Sequence, residues 1–356
     1  MKFYLSTFFV ILTNILFAQD NSVDQPFKNF KNLWEITKDH YCNFDQLKID
    51  WEVRYQYYRH QISDSTTNDE LFLICGNLLK ELDDRHVWIT RKGNYEPTRI
   101  ESGKERNFLS EFLTMNDVIK FNSVTDSILK SKGFSPLKII IPSQYGLGVS
   151  SGYSISDSLV YLQINGMGGS SVKIKKAMRT IVDSLKSRKG LIIDIRLNGG
   201  GYDKKGYLFA KYLTSSDQIA IYKHTRIPKT DEFTSLKKHI IKTTNGQSYT
   251  GPVVLLTSDY TVSAADVFAL ALSNFKNVTI VGNRTGGFFS DVSTYTLPNG
   301  WNFTLSTQKY YSINMTNYER IGVQPDYKIL NTMQSCKKGE DPVLRKALGF
   351  LSKNIK

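Results

Sequence analysis

The chain has 356 residues, of which 40% are hydrophobic, 22% charged and 12% aromatic, a composition that supports a sizeable core and excludes disorder as the main state. Its 46 Lys and Arg against 33 Asp and Glu give a formal charge of +13, which raises the question of an anionic partner such as nucleic acid or a membrane surface. Three cysteines, Cys42, Cys75 and Cys336, are too few for a disulfide scaffold and lack C-x-x-C metal spacing. A Cys42–Cys75 bridge and buried free thiols both stay open.

Met1 to Ala18 places one basic residue, Lys2, ahead of a short apolar run that ends before Gln19-Asp20. This reads as a secretory signal peptide cleaved after Ala18, with an uncleaved anchor as the alternative. From Pro26 to about Thr90 the apolar residues recur at helical spacing: Phe27, Phe30, Trp34 and Ile36, then Leu71, Ile74, Leu78, Leu79 and Leu82. Thr67 with Glu70 is a capping-box signal for the second run. The segment predicts a helical N-terminal subdomain ending near His86. Residues 91 to 150 show turn clusters and little periodicity.

After Tyr153 short β-rich runs alternate with helices. Leu159–Ile164, Leu191–Ile195, Val253–Thr257 and Val278–Gly282 read as strands, and Val172–Leu185 as a helix with Ala177, Met178, Ile181, Val182 and Leu185 on one face. Strands separated by helices predict βαβ crossovers and a largely parallel sheet. Asp341-Pro342 opens a last helix running through Leu351.

No phosphate-loop motif is present, Gly146, Gly148 and Gly152 miss dinucleotide spacing, and the five histidines form no metal cluster. No basic helix or aromatic stacking motif points to nucleic acid. Three segments then stand where α/β sheets build sites. Asp194-Ile-Arg-Leu-Asn-Gly199-Gly200-Gly201 follows a strand, and its glycines either form a flexible turn or point bare N–H groups at a ligand. Ser263 in Ser263-Ala264-Ala265-Asp266 is a helix N-cap by one reading and a nucleophile at a helix N-terminus by the other. Asp83-Asp84-Arg85-His86-Val87-Trp88 offers His86 as the base such a serine needs, with His224 and His239 as competitors.

Taken in order, these segments resemble the S41 family of serine peptidases, the C-terminal processing and tricorn-core group. Leu82-Asp83-Asp84-Arg85-His86 is similar to L-x-D-x-H, Ile193 to Gly201 to I-D-x-R-x-N-x-G-G, and Ser263 to Asp266 to the nucleophile segment S-A-x-E. Val281 to Gly287, Leu297 to Gly300 and Glu319 to Asp326 are similar to V-G-x-x-T-x-G, L-P-x-G and E-x-x-G-V-x-P-D. Two positions depart from the family. Phe288 stands where the processing branch has its base lysine, and Arg85 where the tricorn-like branch has a serine.

The resemblance implies an α/β crotonase/ClpP-like spiral of βαβ units with an N-terminal helical subdomain. The expected division is a signal peptide at 1–18, a helical subdomain at 19–90, a connecting region without a clear PDZ pattern at 91–150, a peptidase core at 151–335 and a C-terminal helix at 336–356. It implies Ser263 as nucleophile, His86 as base and Glu319 as the residue that holds the network. Gly200 and Ala264 N–H groups are the expected oxyanion hole, and Gly199, Gly201, Gly286 and Gly287 are expected to touch substrate. The expected activity is hydrolysis of flexible or unfolded polypeptides by an exported enzyme without metal or organic cofactor. Neither a nucleic-acid partner nor stable membrane insertion after signal cleavage is expected, and oligomeric state is left open. A secreted peptide-binding protein that keeps the fold without turnover is the alternative.

Overall fold

The computed structural model describes residues 25–91, 98–103, 107–143, 149–244 and 246–353; the expected signal peptide at 1–18 lies outside them. Three α-helices come first among the described residues, Pro26–His40, Trp51–Arg59 and Asn68–Lys80. Asp50 caps the second by accepting from Glu52 and Val53 N–H, and Thr67 with Glu70 forms the expected capping box on the third. Their apolar faces converge on Phe30, Leu33, Cys75 and Leu78, each fully buried. That cluster also contains Leu297, Trp301, Phe303 and Leu305. Strand Trp88–Arg91 explains why: it pairs antiparallel with Asn302–Ser306 in a four-stranded sheet completed by Thr98–Glu101 and Val292–Thr296. The N-terminal helices therefore share their core with residues late in the chain.

A seven-stranded sheet forms the centre, in the order Tyr327–Lys328, Val278–Gly282, Val253–Thr257, Gly190–Asp194, Leu159–Ile164, Val149–Ile155 and Lys138–Pro142. The first five run parallel and the last two pair antiparallel. Alternation along each strand supplies two cores. Leu162, Ile193 and Leu255 face helices Ser171–Leu185 and Ala264–Leu272, whereas Tyr161, Ile192, Val254 and Leu256 face the C-terminal helix Pro342–Lys353. The α/β fold with a largely parallel sheet is thus as expected.

Two regions add to the sequence reading. The 17-residue helix Met115–Ser131 lies in the stretch that showed little periodicity. Only Phe121, Thr125 and Leu129 of it are buried, so its apolar stripe is too thin to register. A three-stranded sheet, Gln218–Thr225 between Lys237–Ile241 and Gln308–Tyr311, also went unread. All three thiols are buried and free, and Cys42 Sγ lies 3.2 Å from the Gln308 carbonyl instead of near Cys75.

Candidate active site

The nucleophile candidate stands on a turn between strand Val253–Thr257 and helix Ala264–Leu272. Ser258 Oγ donates to the Arg196 carbonyl at 2.6 Å and Thr261 Oγ to the Ile195 carbonyl at 2.8 Å, so this turn is tied to the one that carries the three glycines. Ser263 has φ +60° and ψ −127°, a region that costs a non-glycine residue strain and that an N-cap does not require. Neighbouring groups hold it there. Ser263 N–H lies 2.9 Å from the Phe288 carbonyl and 3.1 Å from Asp266 Oδ2.

Asp266, fully buried one turn into the helix, binds more than Ser263. Its carboxyl also accepts from Gly287 N–H at 3.0 Å and Phe288 N–H at 2.9 Å. Burial pushes its pKa up to about 6 despite these donors, because a desolvated carboxylate is costly even when hydrogen-bonded. Gly286 and Gly287, expected to touch substrate, are instead buried, with N–H groups committed to Thr261 O and Asp266 Oδ1. They brace the Ser263 turn from behind. Gly287 has φ +79°, and a Cβ there would come within 2.7 Å of Gly322 N, so only glycine fits.

The glycine turn is divided in the same way. Gly199 is exposed and lines the cleft in front of Ser263, whereas Gly201 pairs with Met167 away from it. Gly200 has φ +103° and packs so closely that a Cβ would lie 2.6 Å from Ser263 Cβ. Its N–H, however, donates to buried Asn198 Oδ1 at 2.9 Å. Asn198 is itself fixed by a 2.9 Å bond from Nδ2 to the Ile164 carbonyl. The expected oxyanion donor Gly200 is therefore already engaged. Gly199 N–H and Ala264 N–H meet no acceptor among the described residues, the latter because the first helical residue has no partner one turn earlier.

His86 arrives from the other side, on the turn between helix Asn68–Lys80 and strand Trp88–Arg91. Asp84 shapes that turn by accepting His86 N–H at 2.8 Å, and Thr304 Oγ1 donates to the His86 carbonyl at 2.6 Å. Both His86 and Ser263 line one cleft of about 200 Å³, together with Arg85, Gly199, Tyr260 and Phe288. Burial lowers the His86 pKa, and Asp84 and Asp291 work in the opposite direction. His86 Nδ1 is buried with no hydrogen bond, 3.9 Å from Asp84 Oδ1, and Phe288 meets the ring edge-on at 6.3 Å. The competitors are elsewhere: His224 stacks on Phe233 and His239 sits in strand Lys237–Ile241, neither on this cleft.

Glu319 lies behind the cleft wall. Its carboxyl accepts from Phe289 N–H at 2.9 Å, and burial together with the nearby Asp84 pushes its pKa well above the ordinary value. The next residue, Arg320, donates to the Leu82 carbonyl at 2.9 Å and to Asp83 at 3.1 Å. Glu319 and Arg320 together thus join the Phe288 loop to the His86 turn, the first through Phe289 and the second through Leu82 and Asp83, and no hydrogen bond from Glu319 to the imidazole is present among the described residues. The carboxyl nearest His86 is Asp84, a residue present in the L-x-D-x-H segment but given no role in the sequence reading. Its spacing two residues before the histidine was the available signal.

Residues 158–329 match the profile of peptidase family S41, and residues 25–80 that of the tricorn protease C1 domain. The chloroplastic carboxyl-terminal-processing peptidase 1 of Arabidopsis thaliana is 28% identical over 162 residues, 45% of this chain and 31% of that protein. Tricorn protease homolog 1 of Streptomyces coelicolor is 22% identical over 90% of this chain and 34% of its own length. The chain spans about a third of the length of these curated relatives. Among solved structures, a Parabacteroides merdae protein described as a peptidase superposes with a TM-score of 0.76 at 23% identity, covering 93% of this chain and 99% of that one. Mature CPAF complexed with lactacystin gives 0.63 at 12% identity, over 92% and 97% of the two chains. Likeness at these identities is one of fold, and the sequence relationship rests on the matched segments: residues 158–329, just under half of the chain, are similar to peptidase family S41.

Proposed function

We propose that the protein is an exported serine peptidase that cleaves flexible or unfolded polypeptides. The observation that carries this reading is the meeting of Ser263 and His86, distant in sequence, in one narrow cleft beside N–H groups without acceptors. In the proposed reaction His86 Nε2 takes the Ser263 Oγ proton as Oγ bonds to the peptide carbonyl carbon. The carbonyl oxygen, now negative, is held by Ala264 N–H and by Gly199 N–H, which replaces Gly200 in this role because the Gly200 donor is engaged by Asn198. One such donor is worth about 2.7–4 kcal/mol of transition-state stabilisation. Collapse breaks the C–N bond, the imidazolium gives its proton to the leaving amine, and water repeats the sequence on the acyl-enzyme. Asp84 and Glu319 act as positioning residues, the first on the histidine turn and the second on the wall between that turn and Phe289.

A cleft of about 200 Å³ admits one extended segment, which favours chains that are locally unfolded. Turnover of reduced, unfolded casein by the wild type, abolished in Ser263→Ala, is the expected result. Casein bound in pull-down but left intact by wild type would instead support the binding-protein reading, which gains from the 3.9 Å gap between His86 and Asp84. Among the described residues no helix is long and apolar enough to cross a membrane. Export is proposed from Met1–Ala18, and a mature N-terminus at Gln19 on sequencing of the exported protein is the expected finding.

A further inference from the structure

We infer that Arg85 selects substrates carrying an acidic side chain beside the scissile bond. The inference rests on the peptidase reading above and adds to it a substrate class. Arg85 directly precedes His86, and its position follows from the same turn. Its stem lies across Gly103 so closely that a side chain there would overlap Arg85 Cγ and approach its backbone N to 2.9 Å. Arg85 lines the same cleft as Ser263, and its guanidinium carbon lies 5.8 Å from the ring centroid of Tyr260, which lines that cleft too.

Within the cleft the charges are unequally satisfied. Arg99 lies 3.1 Å from Glu101 and over the Trp88 ring at 4.6 Å, so this cation and this carboxylate answer one another. Arg85 Nη1, at the edge of this cleft, is buried and has no hydrogen-bond partner among the described residues. A buried guanidinium donor left unpaired is expensive, and native structures rarely keep one without a use. The group that best repays it is a carboxylate, whose two oxygens match the planar fork of the guanidinium. Since Arg85 adjoins the base and shares the cleft with the nucleophile, a carboxylate bound to it sits within a residue or so of the attacked carbonyl. The carboxylate of an Asp or Glu side chain meets that requirement at any place in an extended chain.

The test uses internally quenched peptides, acetylated and amidated at their ends so that a side chain is the sole carboxylate. One position at a time near the cleaved bond carries Glu, Gln or Lys, and mass spectrometry locates the cut. Wild type is expected to show a Glu-over-Gln preference of about tenfold or more in kcat/KM at one position. Arg85→Gln should bring that ratio near one, Arg85→Lys should give an intermediate ratio, and Arg85→Glu should favour Lys. Equal cleavage of the Glu and Gln peptides by wild type overturns the inference without touching the peptidase reading, and needs no variant to fold. So does a preference that persists in Arg85→Gln. A free-acid peptide preferred over its amide, with no side-chain effect, assigns Arg85 to the chain terminus and also overturns it. Cleavage of no peptide, with no fluorophosphonate labelling of folded wild type, brings down the peptidase reading and this inference together.

Discussion

Asp84 holds the His86 backbone at 2.8 Å while its carboxyl stands 3.9 Å from the imidazole Nδ1, so one side chain both shapes the turn and sets the field around the imidazole. Burial lowers the His86 pKa below its ordinary value of 6.5, while Asp84 raises it. A neutral imidazole is the form that accepts the serine proton. Acylation should therefore rise with pH through a midpoint below 6.5 and stay high at neutrality. Asp84→Asn removes the raising contribution and should move that midpoint further down, whereas a purely structural role would change the amplitude alone. Stopped-flow acylation between pH 4.5 and 8 separates these outcomes. At this scale the sequence was informative about His86 and Ser263, whose neighbours in the chain carry strong motif signals. It pointed to Gly200 as an oxyanion donor, because nothing in Asn198-Gly199-Gly200 reveals that the asparagine side chain folds back onto the second glycine N–H.

The helix Ala264–Leu272 and the loop Thr285–Phe288 act as one element because Asp266 accepts three N–H donors, from Ser263, Gly287 and Phe288. The sequence posed cap and nucleophile as alternatives for Ser263, but the geometry separates the parts. Asp266 supplies the carboxyl contact to the turn, and Ser263 keeps a strained backbone facing the cleft. Asp266→Ala removes the side-chain acceptor of two buried donors, Gly287 N–H and Phe288 N–H, while Ser263 N–H keeps the Phe288 carbonyl, and should cost roughly 2–5 kcal/mol of stability, read from urea unfolding. Asp266→Asn keeps one acceptor oxygen and should cost less. Period-based reading succeeded for helices with a broad buried stripe, such as Ser171–Leu185 with six buried residues. It failed for Met115–Ser131, where three of seventeen are buried and local capping by Thr114 and Asp117 does most of the specifying.

Across the whole molecule, the feature least visible in sequence is long-range pairing. Strand Trp88–Arg91 finds Asn302–Ser306, and that pairing places the His86 turn opposite the Ser263 turn. A local pattern carries no record of such a partner. The C-terminal helix is tied in by Arg196, about 1% exposed, which reaches Asp194 at 2.6 Å and Asp341 at 2.8 Å. Replacing it with Met strands two buried carboxylates and should destabilise the fold by about 3–5 kcal/mol in urea unfolding. Burial disfavours the Asp341 carboxylate, but Arg196 together with the Leu344 N–H and Asn331 hydrogen bonds outweighs it and holds the pKa below the ordinary 3.8. A group with a depressed folded pKa contributes stability above its unfolded value and loses it as pH falls through the folded one. Wild type should therefore lose this contribution only below pH 3.8, whereas Arg196→Met should already lack it at neutrality. Acid titration followed by near-ultraviolet circular dichroism reads the difference. The +13 charge gains a local meaning in the cleft, where Arg85 is the cation that no carboxylate answers among the described residues.

The central claim is that Ser263 is a nucleophile activated by His86. Reaction of the folded protein with a fluorophosphonate, followed by peptide mapping, tests it most directly. The account predicts a single phosphonylated residue, Ser263, with labelling absent in Ser263→Ala and slowed by a factor of about 10² or more in His86→Ala. Modification of another serine, or a His86→Ala rate equal to wild type, would contradict it.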